Sequence, residues 1–148
     1  MKIAITSDEL YPLHDLCVAE LERMGHEVRA FGALKSRCNE NWVNAAHEAA
    51  QAIAHKECDE GIFFCYTGTG IAIAANKIGG IRAALCVDAN TAVNARIWND
   101  ANVLALSNRL TSGDILKEIL KAWFSTPDRR AGLEGVVLLN NLDSTYRK

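Results

Sequence analysis

The chain has no run of basic residues and no basic stripe studded with aromatics, and its 16 Lys and Arg against 18 Asp and Glu leave a formal net charge of -2. Nucleic acid and anionic membrane are therefore poor partners, and small solutes or other protein subunits are left. No stretch approaches the ~18 consecutive apolar residues of a membrane span. The amino terminus opens directly on the strand-like Lys2-Ile3-Ala4-Ile5-Thr6 rather than on a leader peptide, so a cytoplasmic location is expected. The five cysteines (Cys17, Cys38, Cys58, Cys65 and Cys86) are odd in number, widely spaced and without a C-x-x-C pair. That argues against a disulfide framework and against a zinc knuckle. Internal repeats, linkers and low-complexity segments are also missing, as is the G-x-G-x-x-G order of a dinucleotide-binding loop.

What remains is a chain of 148 residues with 49% hydrophobic content, enough for one core and one domain over residues 1–148. Strand-like and helix-like segments alternate along it. Lys2–Thr6, His26–Phe31, Glu60–Phe64, Ile81–Leu85 and Asn102–Leu106 read as strands. Between them lie helices near Leu13–Met24, closed by Gly25; Trp42–His55, rich in alanine; Ile71–Lys77; and a segment capped by Asp88 that runs to about Trp98. A last helix starts at Thr111 or Ser112 and ends near Pro127. Strict alternation implies right-handed crossovers, hence an α/β fold: a three-layer, doubly wound (Rossmann-like) five-stranded parallel sheet with helices on both faces. The tail, residues 128–148, carries Leu133, Val136, Val137, Leu138 and Leu139 with no strand left to cover them. It is expected to pack on a second subunit, most simply in a two-fold dimer.

The segment Gly61-Ile62-Phe63-Phe64-Cys65-Tyr66-Thr67-Gly68-Thr69-Gly70, followed by Ile71-Ala72-Ile73-Ala74-Ala75-Asn76-Lys77, is the most telling. It reads as a buried strand, a small-residue loop carrying one thiol, and a helix. The thiol thus lies at the carboxyl end of a strand and beside a helix amino terminus, where open α/β sheets bind ligands and a thiolate is electrostatically favoured. Such a cysteine can be a nucleophile, a metal ligand or a general base. The loop offers few further metal ligands, and the four histidines lie in other segments. The backbone N–H groups of Gly68, Thr69 and Gly70 suit a developing oxyanion, as abstraction of a proton next to a carbonyl requires. Blander roles compete: an inert buried thiol at Cys65, a helix cap at Thr67, surface carboxylates at Asp8 and Glu9, a turn at Asn99, packing at Trp42 and Trp98.

The run Cys65-x-Thr67-Gly68-x-Gly70-Ile71-x-Ile73-Ala74-Ala75-Asn76-Lys77, with Gly80-Ile81-Arg82-Ala83-Ala84-Leu85-Cys86 and Asn99-Asp100-x-Asn102-Val103-Leu104, resembles the ribose-5-phosphate isomerase B family, which includes the galactose-6-phosphate isomerase subunits. The resemblance extends from the first strand to about Pro127. It implies aldose-ketose isomerisation through an enediolate, without metal or other cofactor, at sites shared between the subunits of a homodimer or tetramer. By position, Cys65 would be the base moving a proton between C1 and C2, and Thr67 the hydroxyl serving O1 and O2. The amides of Gly68, Thr69 and Gly70, with Asn99, would form the anion hole. Asp8 would bind substrate hydroxyls, and Arg109 would lie near the phosphate end.

Three departures bear on the substrate. Glu9 stands where the family usually has a histidine after the aspartate, and Trp98 where it has the histidine used in ring opening. Leu133–Val137 lacks the tail arginines that grip phosphate across the dimer, and Arg129 and Arg130 sit a few residues early. A tryptophan cannot move a proton for ring opening, and Glu9 adds charge that repels a phosphate dianion. Absent arginines remove the bidentate bonds that single out phosphate. The expected substrate is a pentose or other short sugar or sugar phosphate, with ribose 5-phosphate itself disfavoured. The rival expectation, from another class, is a non-catalytic or partner-dependent sugar-binding subunit of a mixed isomerase.

Overall fold

The structure, a computed structural model, describes residues 1–126 and 130–147. Five strands form one parallel sheet: β1 (Lys2–Ser7), β2 (Glu27–Gly32), β3 (Glu60–Cys65), β4 (Ala83–Leu85) and β5 (Val103–Ser107), in the order β2-β1-β3-β5-β4. The central strands are continuous apolar runs because both faces are covered: β3 and β5 are buried at every residue, and β1 from Ile3 onward. The edge strand β4 is short and only half-buried.

The helices are α1 (Pro12–Arg23), α2 (Ala33–Ser36), α3 (Trp42–Ala54), α4 (Thr69–Ala75), α5 (Ala89–Asn99), α6 (Gly113–Ser125) and α7 (Leu133–Tyr146). α1, α5 and α6 pack on one face around Leu21, Leu104, Leu116 and Trp123. α3 and α4 pack on the other around Phe63, Ile71 and Val103. The alanines of α3 (Ala45, Ala46, Ala49, Ala50, Ala52) bring that helix close to the sheet. Asp88 caps α5 through the Thr91 N–H, and Ser112, not Thr111, caps α6 through the Ile115 N–H. α4 ends at Ala75, two residues before the expected Lys77, because the Asn76 side chain exchanges two hydrogen bonds with Ala83 instead. Pro127, expected at the end of α6, lies outside the described residues.

At the amino-terminal end of β3 a charged cluster ties the sheet to α5 and α6. The Glu60 carboxylate meets Arg96 Nη2 at 2.7 Å and accepts from Trp123 Nε1 at 2.8 Å. Arg96 Nη1 donates to the Ala101 carbonyl, and its guanidinium stands 4.6 Å from the Trp123 ring centroid. All three side chains are buried.

The tail is a helix. A 3-10 turn at Arg130–Gly132 brings Gly132 against the last carbonyls of α5, where a Cβ would lie 2.3 Å from the Trp98 oxygen. From there α7 crosses toward the turn after α4, where Gly80 N–H faces Asp143 and Arg147 donates to the Asn76 carbonyl. Val136 is buried, while Leu133, Val137, Leu138, Leu139 and Leu142 are exposed. Among the described residues no helix is long and apolar enough to cross a membrane.

Candidate active site

The strand order reverses between β1 and β3: the chain leaves β1 toward β2 on one side and re-enters the sheet on the other. Ligands bind beyond the carboxyl ends of strands at such a point. Ser7 is in register with Phe64, and Cys65 with Ser107, so the segments starting at Asp8, Tyr66 and Asn108 leave the sheet side by side. Neighbouring strands lie about 5 Å apart, which places Asp8 and Asn108 on either side of the thiol.

Four of the five thiols, Cys17, Cys58, Cys65 and Cys86, are buried in the core. Burial pushes Cys17, Cys58 and Cys86 up, Cys86 to about 12. Cys38 is exposed on a loop. Cys65 alone ends a central strand and opens onto a loop. Beyond it Thr67 Oγ1 bonds Thr69 Oγ1 at 2.7 Å, and both residues are exposed. Thr67 does not cap α4; the cap residue is Gly68, in the left-handed region at φ 78°. Gly70 lies under the ring of Trp42, with 3.1 Å between the Trp42 ring and a Cβ placed there. The loop is tied down from the β5 side by Asn108 N–H to the Cys65 carbonyl (2.9 Å), and by Ser107 Oγ and Arg109 N–H to the Tyr66 carbonyl. The Arg109 guanidinium stands 5.7 Å from the Tyr66 ring.

Gly68 is required twice over. A Cβ would sit 2.5 Å from Leu85 Cδ1 and 2.9 Å from the Leu106 carbonyl carbon, in a backbone conformation that L residues avoid. Gly68→Ala is expected to cost about 2–4 kcal/mol of stability, combining the left-handed strain with overpacking. Chemical denaturation of the variant checks this.

Asp8 and Glu9 lie on the β1 side. The Asp8 backbone carbonyl accepts from Glu40 N–H at 2.8 Å, while its Oδ1 is buried and accepts no hydrogen bond. Burial is the main reason its carboxyl titrates above the ordinary value, reinforced by Glu9 and opposed by the amides of Asp8 and Glu9 and the Ser7 hydroxyl. The Glu9 carboxylate accepts from the Tyr11 hydroxyl at 2.9 Å. Behind them, His14 is buried; burial pulls its titration below the ordinary histidine value, against the pull of Asn108. Ser7, Tyr11, His14 and Asn108 belong to this end of the sheet although no motif marks them. The usable hint was Tyr11-x-x-His14 directly after a strand's carboxyl end.

Trp98 and Asn99 are elsewhere. α5 starts beyond the carboxyl end of β4 and runs back for 11 residues, so its last residues lie at the amino-terminal edge of the sheet, roughly 16 Å along the helix from its start. There, both residues are exposed and line a cleft of about 690 Å³ with Leu85, Asn94, Leu139 and Arg147. Cys65 is not part of that cleft. Within one chain, then, the anion-hole pairing of Asn99 with Gly68–Gly70 does not form. Arg129 lies outside the described residues, as does the side chain of Arg130.

Residues 3–134 match the ribose/galactose isomerase family. The chain belongs to that family. It is 40% identical over 123 residues to ribose-5-phosphate isomerase B of Escherichia coli (strain K12), covering 82% of each chain. It is 36% identical over 124 residues to a D-erythrulose-4-phosphate isomerase of Pectobacterium atrosepticum, covering 83% of this chain and 82% of that one. The solved structure of Clostridium thermocellum ribose-5-phosphate isomerase B superposes with a TM-score of 0.90 over 99% of both chains at 35% identity. The doubly wound fold and the aldose-ketose isomerase class read from the sequence therefore stand.

Proposed function

We propose that Cys65 is the general base of this isomerase. As a thiolate it removes the proton from C2 of an open-chain aldose, and the C–H electrons form the C1–C2 double bond of an enediolate. Return of the proton to C1 gives the ketose. Thr67 moves the protons on O1 and O2, the amides of Gly68, Thr69 and Gly70 hold the charge on oxygen, and Asp8 accepts from a substrate hydroxyl. The observation that carries this reading is the buried, unsatisfied Asp8 Oδ1 one strand away from the thiol, since a buried acceptor without a donor fits a site waiting for a hydroxyl.

The placement of Trp98 and Asn99 supports a site completed by a second copy of the chain in a cytoplasmic homodimer, with the exposed apolar face of α7 in the contact. Charge at the site favours a short sugar over ribose 5-phosphate: Asp8 and Glu9 follow β1 beside the strand that ends in Cys65, and Arg109 brings a cation on the β5 side. A sugar phosphate would have to use Arg109. The test is an NMR screen for isomerisation in deuterated water, over tetroses to hexoses with and without phosphate. Turnover with deuterium at the migrating position supports the reading. Silence across the panel, from folded and reduced protein, rejects it in favour of a partner-dependent subunit.

Asp8 gives a prediction with a definite sign. Its folded value lies above the unfolded 3.8, so its contribution to stability is present below that value and is lost as pH rises through the folded one. At neutral pH the ionised side chain is a liability that the site retains for binding. Asp8→Asn is expected to raise the urea midpoint at pH 7, give no gain at pH 3, and lower kcat/KM.

A further inference from the structure

Asn108 takes no part in the proton transfer just described, yet the residue is buried, 8% exposed, and its side chain is a hub of the site. Its backbone N–H holds the Cys65 carbonyl. Its side chain reaches the other way, with Oδ1 2.7 Å from His14 Nε2 and Nδ2 3.3 Å from Ser7 Oγ. Tyr11 decides which atom donates. The Tyr11 N–H donates to His14 Nδ1 at 3.2 Å, so that nitrogen carries no proton and Nε2 carries the ring proton. His14 Nε2 therefore donates to Asn108 Oδ1, which turns the Asn108 amide N–H toward Ser7. Ser7 Oγ accepts a second bond from Glu9 N–H at 3.3 Å.

The ladder between β1 and β3 ends at Ser7, so sheet hydrogen bonds cannot place the residues that follow. Side chains replace the ladder here, and they span the fold: His14 and Asn108 are 94 residues apart. We infer that Asn108 and His14 are positioning residues that hold the segment Asp8–Tyr11 in register with Cys65. Their catalytic importance rests on the function proposed above; the anchoring does not. Neither side chain touches the reacting atoms. They act through Asp8, whose misplacement by about 1 Å is enough to cost on the order of 10²-fold in rate.

The experiment compares Ser7→Ala, His14→Leu, the double variant, and His14→Gln, whose amide can again donate to Asn108. Hydrogen-exchange mass spectrometry needs no substrate. Amides of residues 8–11 are expected to lose protection in Ser7→Ala and His14→Leu and to regain it in His14→Gln, with residues 65–70 unchanged. On whichever sugar the wild type turns over, kcat/KM is expected to fall roughly 10- to 100-fold in Ser7→Ala and in His14→Leu, little further in the double, and to recover in His14→Gln, at an unchanged rate of Cys65 alkylation. Unchanged exchange overturns the anchoring, and raised exchange with full activity overturns its catalytic importance. A wild type that isomerises nothing defeats the functional reading instead, and exchange alone then decides whether the hub holds the segment.

Discussion

Cys65→Ala is expected to abolish incorporation of solvent deuterium into the isomerised sugar, with kcat falling on the order of 10²–10⁴-fold, the usual contribution of a positioned base. KM should move little, because Asp8, Arg109 and the loop amides, proposed above as the substrate contacts, do not depend on the thiol. Cys17→Ala is the matched control. Cys17 is fully buried among the α1 and α6 residues and its thiol is pushed far up by burial, so its loss removes only packing. Exchange that survives Cys65→Ala and is lost in Cys17→Ala would reverse the assignment.

The largest effect on stability is expected at the opposite end of the same strand. Glu60→Ala leaves the Arg96 guanidinium and the Trp123 indole N–H buried without their shared carboxylate. Removing one partner of a buried pair costs about 3–5 kcal/mol, which for a chain of this size lowers the melting temperature by roughly 10 °C or more. Glu60→Gln keeps an acceptor for one of the two donors and should cost less. Because Glu60 and Cys65 bound a strand of six residues, they lie roughly 17 Å apart. Glu60→Ala is accordingly expected to keep its turnover number per folded molecule at low temperature. Calorimetry and kinetics on the same preparation separate the two ends of β3.

The elements were legible because their signals are local. β1, β3 and β5 follow from unbroken apolar runs, α6 from Leu116, Ile119, Leu120 and Trp123 on one stripe, and the start of α5 from the Asp88 cap. β4 is two residues shorter than expected because Ile81 and Arg82 are drawn into other bonds: Ile81 N–H closes a turn on Ile78, and Arg82 is held by Asp100 and Asn102. The short α2 is not legible in the sequence because four residues carry no period. The tail forms a helix, and nothing in its pattern tells that Gly132 seats on the carbonyls of α5. Burial of Cys58, a residue without an assigned role in the sequence, comes from its place just before β3 against α3, which composition does not reveal.

Taken alone, the amino-acid sequence determined the class of fold, the address of the thiol at the carboxyl end of a strand, and the family, because periodicity, capping residues and loop motifs are written within a few residues of one another. The tertiary structure alone decided which strands are neighbours. By setting β3 between β1 and β5 it brought Asp8, Cys65 and Asn108 to one edge, and by running α5 antiparallel to them it carried Trp98 and Asn99 to the other. Those relations join residues up to about a hundred positions apart through side-chain hydrogen bonds such as His14 to Asn108 and Asn108 to Ser7. Such bonds are set by how helices and strands pack, and no local pattern encodes them.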